Sequence, residues 1–170
     1  MLNYTKDNAV IATSGIILGY TMKKVAIIQS NYIPWKGYFD IIRSVDEFII
    51  YDDMQYTRRD WRNRNLIKTQ NGVQWLTIPV SVKGKYTQSI KDTKVADAAW
   101  QQTHWQTICT YYKKAKHFDE IAVWLEPLYR GQQYTHLTEV NRTFMEGICK
   151  YLGIAATISN SWDYTLAEGK

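Results

Sequence analysis

Two short apolar runs near the start of the chain enclose a segment with helical periodicity, and this arrangement restricts the fold more than any other feature. Residues 25–28 and 48–51 have the length and character of buried strands, and between them Phe39, Ile42 and Val45 recur at helical spacing. Strand–helix–strand units of this kind place their strands in parallel through a right-handed crossover. We therefore predict a parallel or mixed sheet opened by this unit, with ligands at the carboxyl ends of its strands.

The middle of the chain contains one more strand signal and then changes to helical periodicity. Residues 74–82 carry the apolar residues of a strand, and Pro79 indicates an edge or a bulge. From about residue 97, apolar positions at steps of three and four predict a long helix. A second helix is predicted over about residues 119–129, where Pro127 limits its last turn. The predicted class is therefore α/β, with a mainly helical segment after the sheet.

The end of the chain predicts a third helix and a further strand. Thr138 is an acceptable N-cap for that helix, and Gly153 can close it in the left-handed conformation. Residues 154–159 then begin a strand. We expect residues 22–170 to form one α/β domain that is incomplete at its carboxyl end. Residues 1–21 are expected to be a poorly ordered extension or the product of an upstream start codon.

Composition excludes several classes of protein. The chain has 170 residues of which 45% are hydrophobic, which argues for one globular domain and against disorder. No run reaches the eighteen or so apolar residues of a membrane-spanning helix. Cys109 and Cys149 lie far apart within helical patterns, so we expect packed thiols in a reducing cytoplasm. The net charge of +5 is compatible with phosphate-bearing ligands, nucleic acid or an anionic membrane.

The loop after the first strand combines special backbone residues with hydrogen-bonding side chains. Pro34 fixes one backbone angle, Gly37 allows close approach, and the helix that begins nearby offers free N–H groups to an anion. The alternative is an ordinary turn whose aromatic side chains cap the core. Without a Gly-rich repeat, the loop matches neither a P-loop nor a dinucleotide motif. The predicted substrate-binding residues here are Gln29, Asn31, Tyr32, Trp35, Gly37 and Tyr38.

A second polar stretch begins where the second strand ends. Asp52 and Asp53 occupy a position from which carboxylates bind Mg²⁺, a ribose hydroxyl or a substrate amine, and Asp52 is a candidate general base. The alternative is that Asp52 caps a turn and Asp53 pairs with a nearby arginine. Arginines then alternate with amides and an indole, a mixture that can bind phosphate and stack on a ring. The residues predicted to bind substrate are Gln55, Trp61, Arg62, Asn63, Arg64 and Asn65.

Histidine and cysteine spacing suggests acid–base chemistry at one position and a metal site at none. His104 lies in the apolar stripe of the long helix, where a histidine is more often a hydrogen-bonded core residue, yet it is the best acid–base candidate. His117 and His136 have no partner at metal-ligand spacing. The sequence identifies no cofactor and does not indicate an oligomeric state.

The chain resembles the WbqC-like proteins. The resemblance is carried by residues 25–39, the Tyr-Asp-Asp-Met-Gln-Tyr motif of residues 51–56 and the Asp-Trp-Arg-Asn-Arg-Asn motif of residues 60–65, and it continues through residues 75–80 and 151–154. It implies a role in bacterial O-antigen or other surface-polysaccharide biosynthesis, for which transfer of glycine or an acyl group to an amino sugar has been suggested. The segment before residue 22 and the early end of the chain depart from the resemblance.

The resemblance implies that the site contains a base and an anion-binding group. Asp52 or His104 would be the base, and residues 62–65 would hold the diphosphate of a nucleotide sugar. Two other functions stay open. Nucleotidyl transfer is one, because the strand–helix–strand unit is similar to the opening unit of that superfamily, although its paired histidines are absent at residues 35–38. The other is a non-enzymatic module that binds a glycan or single-stranded nucleic acid.

Overall fold

A computed structural model of the protein describes residues 22–165, so the predicted extension at residues 1–21 lies outside the described part of the chain. The described part alternates strands and helices in its first half and is mainly helical in its second. The elements are β1 (Val25–Ile28), α1 (Lys36–Arg43), β2 (Glu47–Ile50), β3 (Arg64–Thr69), β4 (Gly72–Thr77), α2 (Ala99–Tyr112), α3 (Phe118–Arg130), α4 (Leu137–Tyr151) and β5 (Thr157–Asn160), followed by a single 3-10 turn at Ser161–Asp163.

The main sheet has three parallel strands in the order β1-β2-β5. β2 is the central strand, and Ile28 and Asn160 both pair with Ile50, so all three strands end at one level. The predicted α/β class, with a parallel sheet opened by a strand–helix–strand unit and followed by helices, is confirmed. Packing residues of α1 and α4, Phe39 and Met145 among them, cover one face of this sheet.

The other face of the sheet differs from the prediction. A strand buried on both faces was expected at residues 25–28, yet Val25 is 45% exposed and Ile27 is 58% exposed. Their side chains alternate with the covered Ala26 and Ile28, as the period of a strand requires. Parallel sheets are normally covered on both faces. Within residues 22–165, β1 therefore presents an uncovered apolar surface.

The strand predicted over residues 74–82 is shorter than expected and belongs to a hairpin. β4 ends at Thr77, and it pairs with β3 in an antiparallel sheet of its own. β3 was not predicted, because its first residues, Arg64 and Asn65, were interpreted as part of a polar loop. Pro79 lies beyond the end of β4, and Val80 forms an isolated bridge with Val95.

The helices begin and end close to their predicted positions, with one error at α4. The N-cap of α4 is His136 and not Thr138. The carboxylate of Glu139 accepts hydrogen bonds from the backbone N–H groups of Thr135 and His136, at 2.9 Å and 3.0 Å. Thr138 lies in the first turn and points inward. Gly153 has a φ of +64°, which confirms the left-handed close of this helix.

None of the helices within residues 22–165 has both the length and the apolar character that a bilayer crossing requires. The buried side chains of this part form two clusters. One lies between α1, α4 and the parallel sheet, and the other lies between the hairpin and the helices α2, α3 and α4. The loop that follows β1 reaches from the first cluster into the second, because its Tyr32 packs in the latter.

Candidate functional site

The two polar stretches predicted from the sequence leave the parallel sheet at the same edge. β1 is followed by Gln29 and Ser30, and β2 by Tyr51 and Asp52. The carboxyl edge of a parallel sheet is where α/β proteins place their ligands. The stretches are also joined directly, since the backbone N–H of Tyr32 donates to the carbonyl of Trp61 at 3.1 Å. The structure therefore brings the predicted loop and the predicted basic stretch together.

Asp52 is fully buried and holds this edge together. Its Oδ1 accepts the backbone N–H of Ser30 at 2.8 Å, and its Oδ2 accepts the Ser30 hydroxyl at 2.7 Å. The hydroxyl of Thr138, on α4, also donates to Oδ2, at 2.7 Å. One carboxylate thus links the end of β1, the end of β2 and the start of α4. Each of these bonds has a carboxylate oxygen of Asp52 as its acceptor, so this one side chain holds three donors in place.

Asn141 extends the same network to the basic stretch. It is fully buried, and its Nδ2 donates to Ser30 Oγ and to the backbone carbonyl of Arg62, both at 2.9 Å. Sequence analysis missed Ser30, Thr138 and Asn141. The spacing of Thr138 and Asn141 does place them on one helix face, but nothing in the sequence indicates that this face meets Asp52.

Arg62 is held by neutral oxygen atoms. Its Nη1 donates to Asn31 Oδ1 at 2.6 Å and to the Ser30 carbonyl at 3.3 Å, and its Nη2 donates to Gln29 Oε1. The carboxylate of Asp60 lies farther away, with Oδ2 3.8 Å from Nε, and the Arg62 side chain is only 16% exposed. The guanidinium is therefore fixed in place by hydrogen bonds to neutral oxygens, and Asp60 pairs with it only loosely, at the long end of salt-bridge distance.

The amides of Gln29 and Asn31 must present donors on their other side. A guanidinium can only donate, so the amide atoms that face Arg62 are the oxygens and the NH₂ groups point away. Within the described residues, neither NH₂ group donates to a protein acceptor. We name Gln29, Asn31 and Arg62 the arginine–amide cluster. It combines a fixed positive charge with free N–H donors, the two features that bind an oxyanion.

The loop between β1 and α1 adopts a strained backbone that a predicted site residue supports. Ile33 has a φ of +47°, a conformation that β-branched residues rarely adopt. The Nδ2 of Asn65 donates to the carbonyl of Tyr32 at 3.1 Å and to that of Ile33. The amide of Asn63 is also used internally, because its Nδ2 donates to the Ile78 carbonyl at 2.8 Å. Both asparagines therefore shape the loop and the hairpin, and strain of this kind is concentrated at functional sites.

His104 is part of a buried chain of hydrogen bonds. The Tyr32 hydroxyl lies 3.0 Å from its Nδ1 and 2.6 Å from the Tyr129 hydroxyl, and its Nε2 lies 3.2 Å from the carbonyl of Thr77. Because a carbonyl only accepts, we assign the proton to Nε2, so that Tyr32 donates to Nδ1 and Tyr129 donates to Tyr32. Burial lowers the pKa of His104 to about 4 and raises that of Tyr32. His104 is thus neutral and connects α2, α3, β4 and the site loop.

Trp35 and Tyr38 lie on opposite sides of the start of α1. Trp35 is the N-cap and is 68% exposed, whereas Tyr38 is buried and donates its hydroxyl to the Gln29 carbonyl at 2.9 Å. The Trp35 indole is folded over Gly37 so closely that an added Cβ would lie 1.8 Å from it. Gly37 therefore leaves room for the Trp35 ring at the start of α1.

Replacing Gly37 with alanine is expected to displace the Trp35 indole while leaving the stability of the fold within about 1 kcal/mol of wild type. The methyl group would occupy the space of the exposed indole, which can rotate into solvent, and alanine favours the helix. Urea denaturation measures the stability, and Trp35→Ala provides the matched comparison. A loss of several kcal/mol would show that the indole is not free to move.

Two groups of polar residues lie apart from the cluster. Gln55, a predicted substrate-binding residue, donates to the carbonyl of Tyr86 at 2.6 Å in an exposed loop. Asp53 accepts hydrogen bonds from Lys91 and Ser161 on the side of β5.

A shallow depression of about 440 Å³ contains none of the predicted site residues, because it lies on α3 and is lined by Asp119, Ala122, Val123, Glu126, Pro127 and Arg130. Within residues 22–165, no group of three or more acidic, histidine or cysteine side chains is arranged to hold a metal ion.

Comparison with known proteins identifies the family of this chain. The WbqC-like protein family matches residues 29–170. The chain belongs to the WbqC-like protein family. It is similar to the uncharacterized protein Rv1507c of Mycobacterium tuberculosis (strain ATCC 25618 / H37Rv), with 58% identity over 149 residues, which is 88% of this chain and 64% of that protein. The chain therefore spans less than two thirds of this relative's length. No solved structure matches it.

The part matched to the WbqC-like family contains every predicted site residue, from Gln29 to His104. Of these, the structure places Gln29, Asn31 and Arg62 in one cluster with free donors. Three others are exposed at the surface, namely Trp35, Gln55 and Trp61. Six further predicted site residues use their polar groups in hydrogen bonds within the protein: Tyr32, Tyr38, Asp52, Asn63, Asn65 and His104.

Proposed function

We propose that this WbqC-like protein is a cytoplasmic transferase of bacterial surface-polysaccharide biosynthesis, such as that of O-antigen, which joins an amino acid or an acyl group to a sugar. Its phosphate-bearing substrate, a nucleotide sugar, binds at the arginine–amide cluster. Membership of the family supports the class of reaction. The observation that carries the binding site is the Arg62 guanidinium, whose hydrogen bonds go to neutral oxygens and whose carboxylate neighbour Asp60 lies 3.8 Å from Nε.

The physical argument for an anion at this position rests on charge and geometry. A cation that a carboxylate holds by hydrogen bonds has little attraction left for a ligand, whereas amide and peptide oxygens fix Arg62, and the Asp60 carboxylate at 3.8 Å offsets its charge only in part. With 16% of the side chain exposed, water screens this charge less than at an open surface. The NH₂ groups of Gln29 and Asn31 supply uncharged donors beside it. A phosphate oxygen can therefore accept from amides while it is paired with the guanidinium.

Asp60 is suited to the amine that such a transfer requires. Its carboxylate is 35% exposed and lies beside Arg62. Burial by itself would raise the pKa of Asp60, but hydrogen bonds from Thr57 and from the Trp61 backbone, together with Arg62, lower it. The group is thus ionised at neutral pH and can bind the ammonium group of an amino acid or an amino sugar. We assign positioning roles to Asp52 and His104, because both are buried within the protein's own hydrogen bonds.

Replacing Arg62 with lysine is expected to weaken the binding of a nucleotide sugar about thirtyfold, or about 2 kcal/mol. Lysine keeps the charge but loses the planar fork that contacts Gln29 and Asn31 together, so charge and donors are no longer aligned. Isothermal titration calorimetry with UDP-N-acetylglucosamine measures the effect.

Arg58→Lys is the matched control for this experiment. Arg58 is also an arginine that donates to a backbone carbonyl, that of Val82, but it lies against Tyr86 outside the cluster. It should leave the affinity unchanged. Equal affinities for Arg62→Lys and wild type would contradict the proposed site. A thermal-shift comparison of nucleotide sugars, acyl-coenzyme A and amino acids then identifies the second substrate, since ligand at a hundredfold over its Kd stabilises the fold by about 2.7 kcal/mol.

Nucleotidyl transfer is the second candidate, favoured by the parallel β1-α1-β2 unit whose loop opens directly into α1. An enzyme of this kind would bind a nucleoside triphosphate with Mg²⁺ and release pyrophosphate when it acts on a phosphorylated sugar. Release of pyrophosphate with a triphosphate and a sugar phosphate would favour this function. Product formation from a preformed nucleotide sugar, without pyrophosphate, would favour the first.

A further inference from the structure

The outer face of the β3–β4 hairpin carries an arginine and an indole, and a second indole, that of Trp61 just before β3, lies against the first at a tilt. The guanidinium of Arg64 lies over the Trp75 ring, 3.9 Å from its centroid. The Trp75 ring contacts that of Trp61, with centroids 5.2 Å apart and planes at 50°. Trp61 is 48% exposed and Trp75 is 40% exposed. We name Arg64, Trp75 and Trp61 the indole stack.

The hairpin register explains why this stack faces solvent. Leu66 pairs with Trp75 and Arg64 pairs with Thr77, so Arg64 and Trp75 are diagonal neighbours on one face. The adjacent residue Leu76 points the other way, into the core. Arg64 is held from behind because its Nη2 donates to the Arg59 carbonyl. The arginine thus supports Trp75, and Trp75 supports Trp61.

The stack and the arginine–amide cluster meet at consecutive residues of the chain. Trp61 and Arg62 are consecutive, so their Cα atoms lie about 3.8 Å apart. The hydrogen bond from Tyr32 to the Trp61 carbonyl fixes the same stretch against the site loop. A supported indole and a fixed cation therefore belong to consecutive residues of one anchored stretch. A ligand that satisfies both has an anionic group and a flat aromatic ring within one small molecule.

We propose that Trp61 is the stacking surface for the base of a nucleotide whose phosphate binds Gln29, Asn31 and Arg62. This inference rests on the proposed function and specifies how the nucleotide part of the substrate is recognised. Arg64, which the sequence suggested as a phosphate ligand, instead fixes the indoles. Stacking of a base on an aromatic side chain tightens binding by about 5-fold to 150-fold, whichever base is present. The site therefore selects a nucleotide over a sugar phosphate without selecting one base strongly.

The test compares two ligands that differ in the base. Calorimetric titration of the full chain with uridine 5′-monophosphate and with ribose 5-phosphate is expected to show at least about tenfold tighter binding of the nucleotide. Trp61→Ala should remove this difference by weakening the nucleotide alone, and Trp61→Phe should restore most of it. Arg62→Lys should weaken both ligands equally. Trp162→Ala is the control, because Trp162 is also 40% exposed and near a lysine but follows β5.

The outcomes separate this inference from the proposed function. If both ligands bind equally and both depend on Arg62, the anion site stands and the stacking role is wrong. If Trp61→Ala weakens ribose 5-phosphate as much as the nucleotide, the indole contacts the sugar and the assignment of a base is wrong. If neither ligand binds to the wild-type chain, the proposed site and this inference both fail.

Discussion

Replacing Asp52 with alanine is expected to lower the free energy of unfolding by about 4 kcal/mol. The substitution leaves the buried Ser30 N–H and hydroxyl and the part-buried Thr138 hydroxyl without their acceptor. Each buried donor without a partner costs about 1–3 kcal/mol. Urea denaturation followed by circular dichroism measures the change.

Two further variants are compared with Asp52→Ala, one as a control and one to separate a structural role from a catalytic role. Asp40→Ala changes an exposed aspartate on α1 and should alter stability by less than about 0.5 kcal/mol. Asp52→Asn keeps the size of the side chain but turns one acceptor oxygen into a donor that faces the hydroxyls of Ser30 and Thr138. If Asp52 holds the sheet edge together, Asp52→Asn should also be destabilised. A fully stable Asp52→Asn that lacks activity would instead identify Asp52 as a catalytic base.

The protein is expected to gain about 3 kcal/mol of stability from His104 as the pH rises from 4 to 6.5. The pKa of His104 is about 4 in the folded protein, below its ordinary value of 6.5, because burial disfavours the charged ring. Between these pH values the unfolded chain binds more protons, so stability increases with pH. The contribution is complete above pH 6.5 and is lost as the pH falls through 4.

Comparison with a variant isolates this contribution from that of the carboxylates. Urea midpoints from pH 4 to pH 7 should rise more steeply for wild type than for His104→Gln, which cannot titrate. If the urea midpoints of wild type and His104→Gln depend on pH in the same way, the ring is accessible to protons. That result would favour a catalytic role for His104.

The sequence predicted those elements whose own residues determine their secondary structure. The runs at residues 25–28 and 48–51 and the helical spacing between them were sufficient for β1, α1 and β2. β3 was missed because Arg64, Asn65 and Lys68 make its sequence polar. It forms a strand because it pairs with β4. Burial of β1 on both faces was a wrong prediction, because the sequence shows that a strand is apolar and does not show whether anything covers it.

For the candidate site, the sequence indicated the location better than the roles. It placed Gln29, Asn31 and Arg62 at one sheet edge, because strand ends in a parallel sheet coincide. Whether a polar atom is free for a ligand depends on tertiary neighbours, and these are distant in sequence. Asn141 lies 111 positions from the Ser30 it contacts, and Thr138 lies 86 positions from Asp52. No local pattern can distinguish the occupied Asp52 from an open carboxylate.

The strand order has a kinetic consequence. β2 lies at the centre of the sheet, yet one of its neighbours, β5, follows all four helices, and the hydrogen-bonded pair Glu47 and Ser159 is separated by 112 positions. Contacts between such distant segments form slowly, because a long loop must close first. During translation, β2 therefore has an open edge until β5 leaves the ribosome. Over most of its synthesis the nascent chain therefore carries an unpaired strand edge, with which another chain could pair.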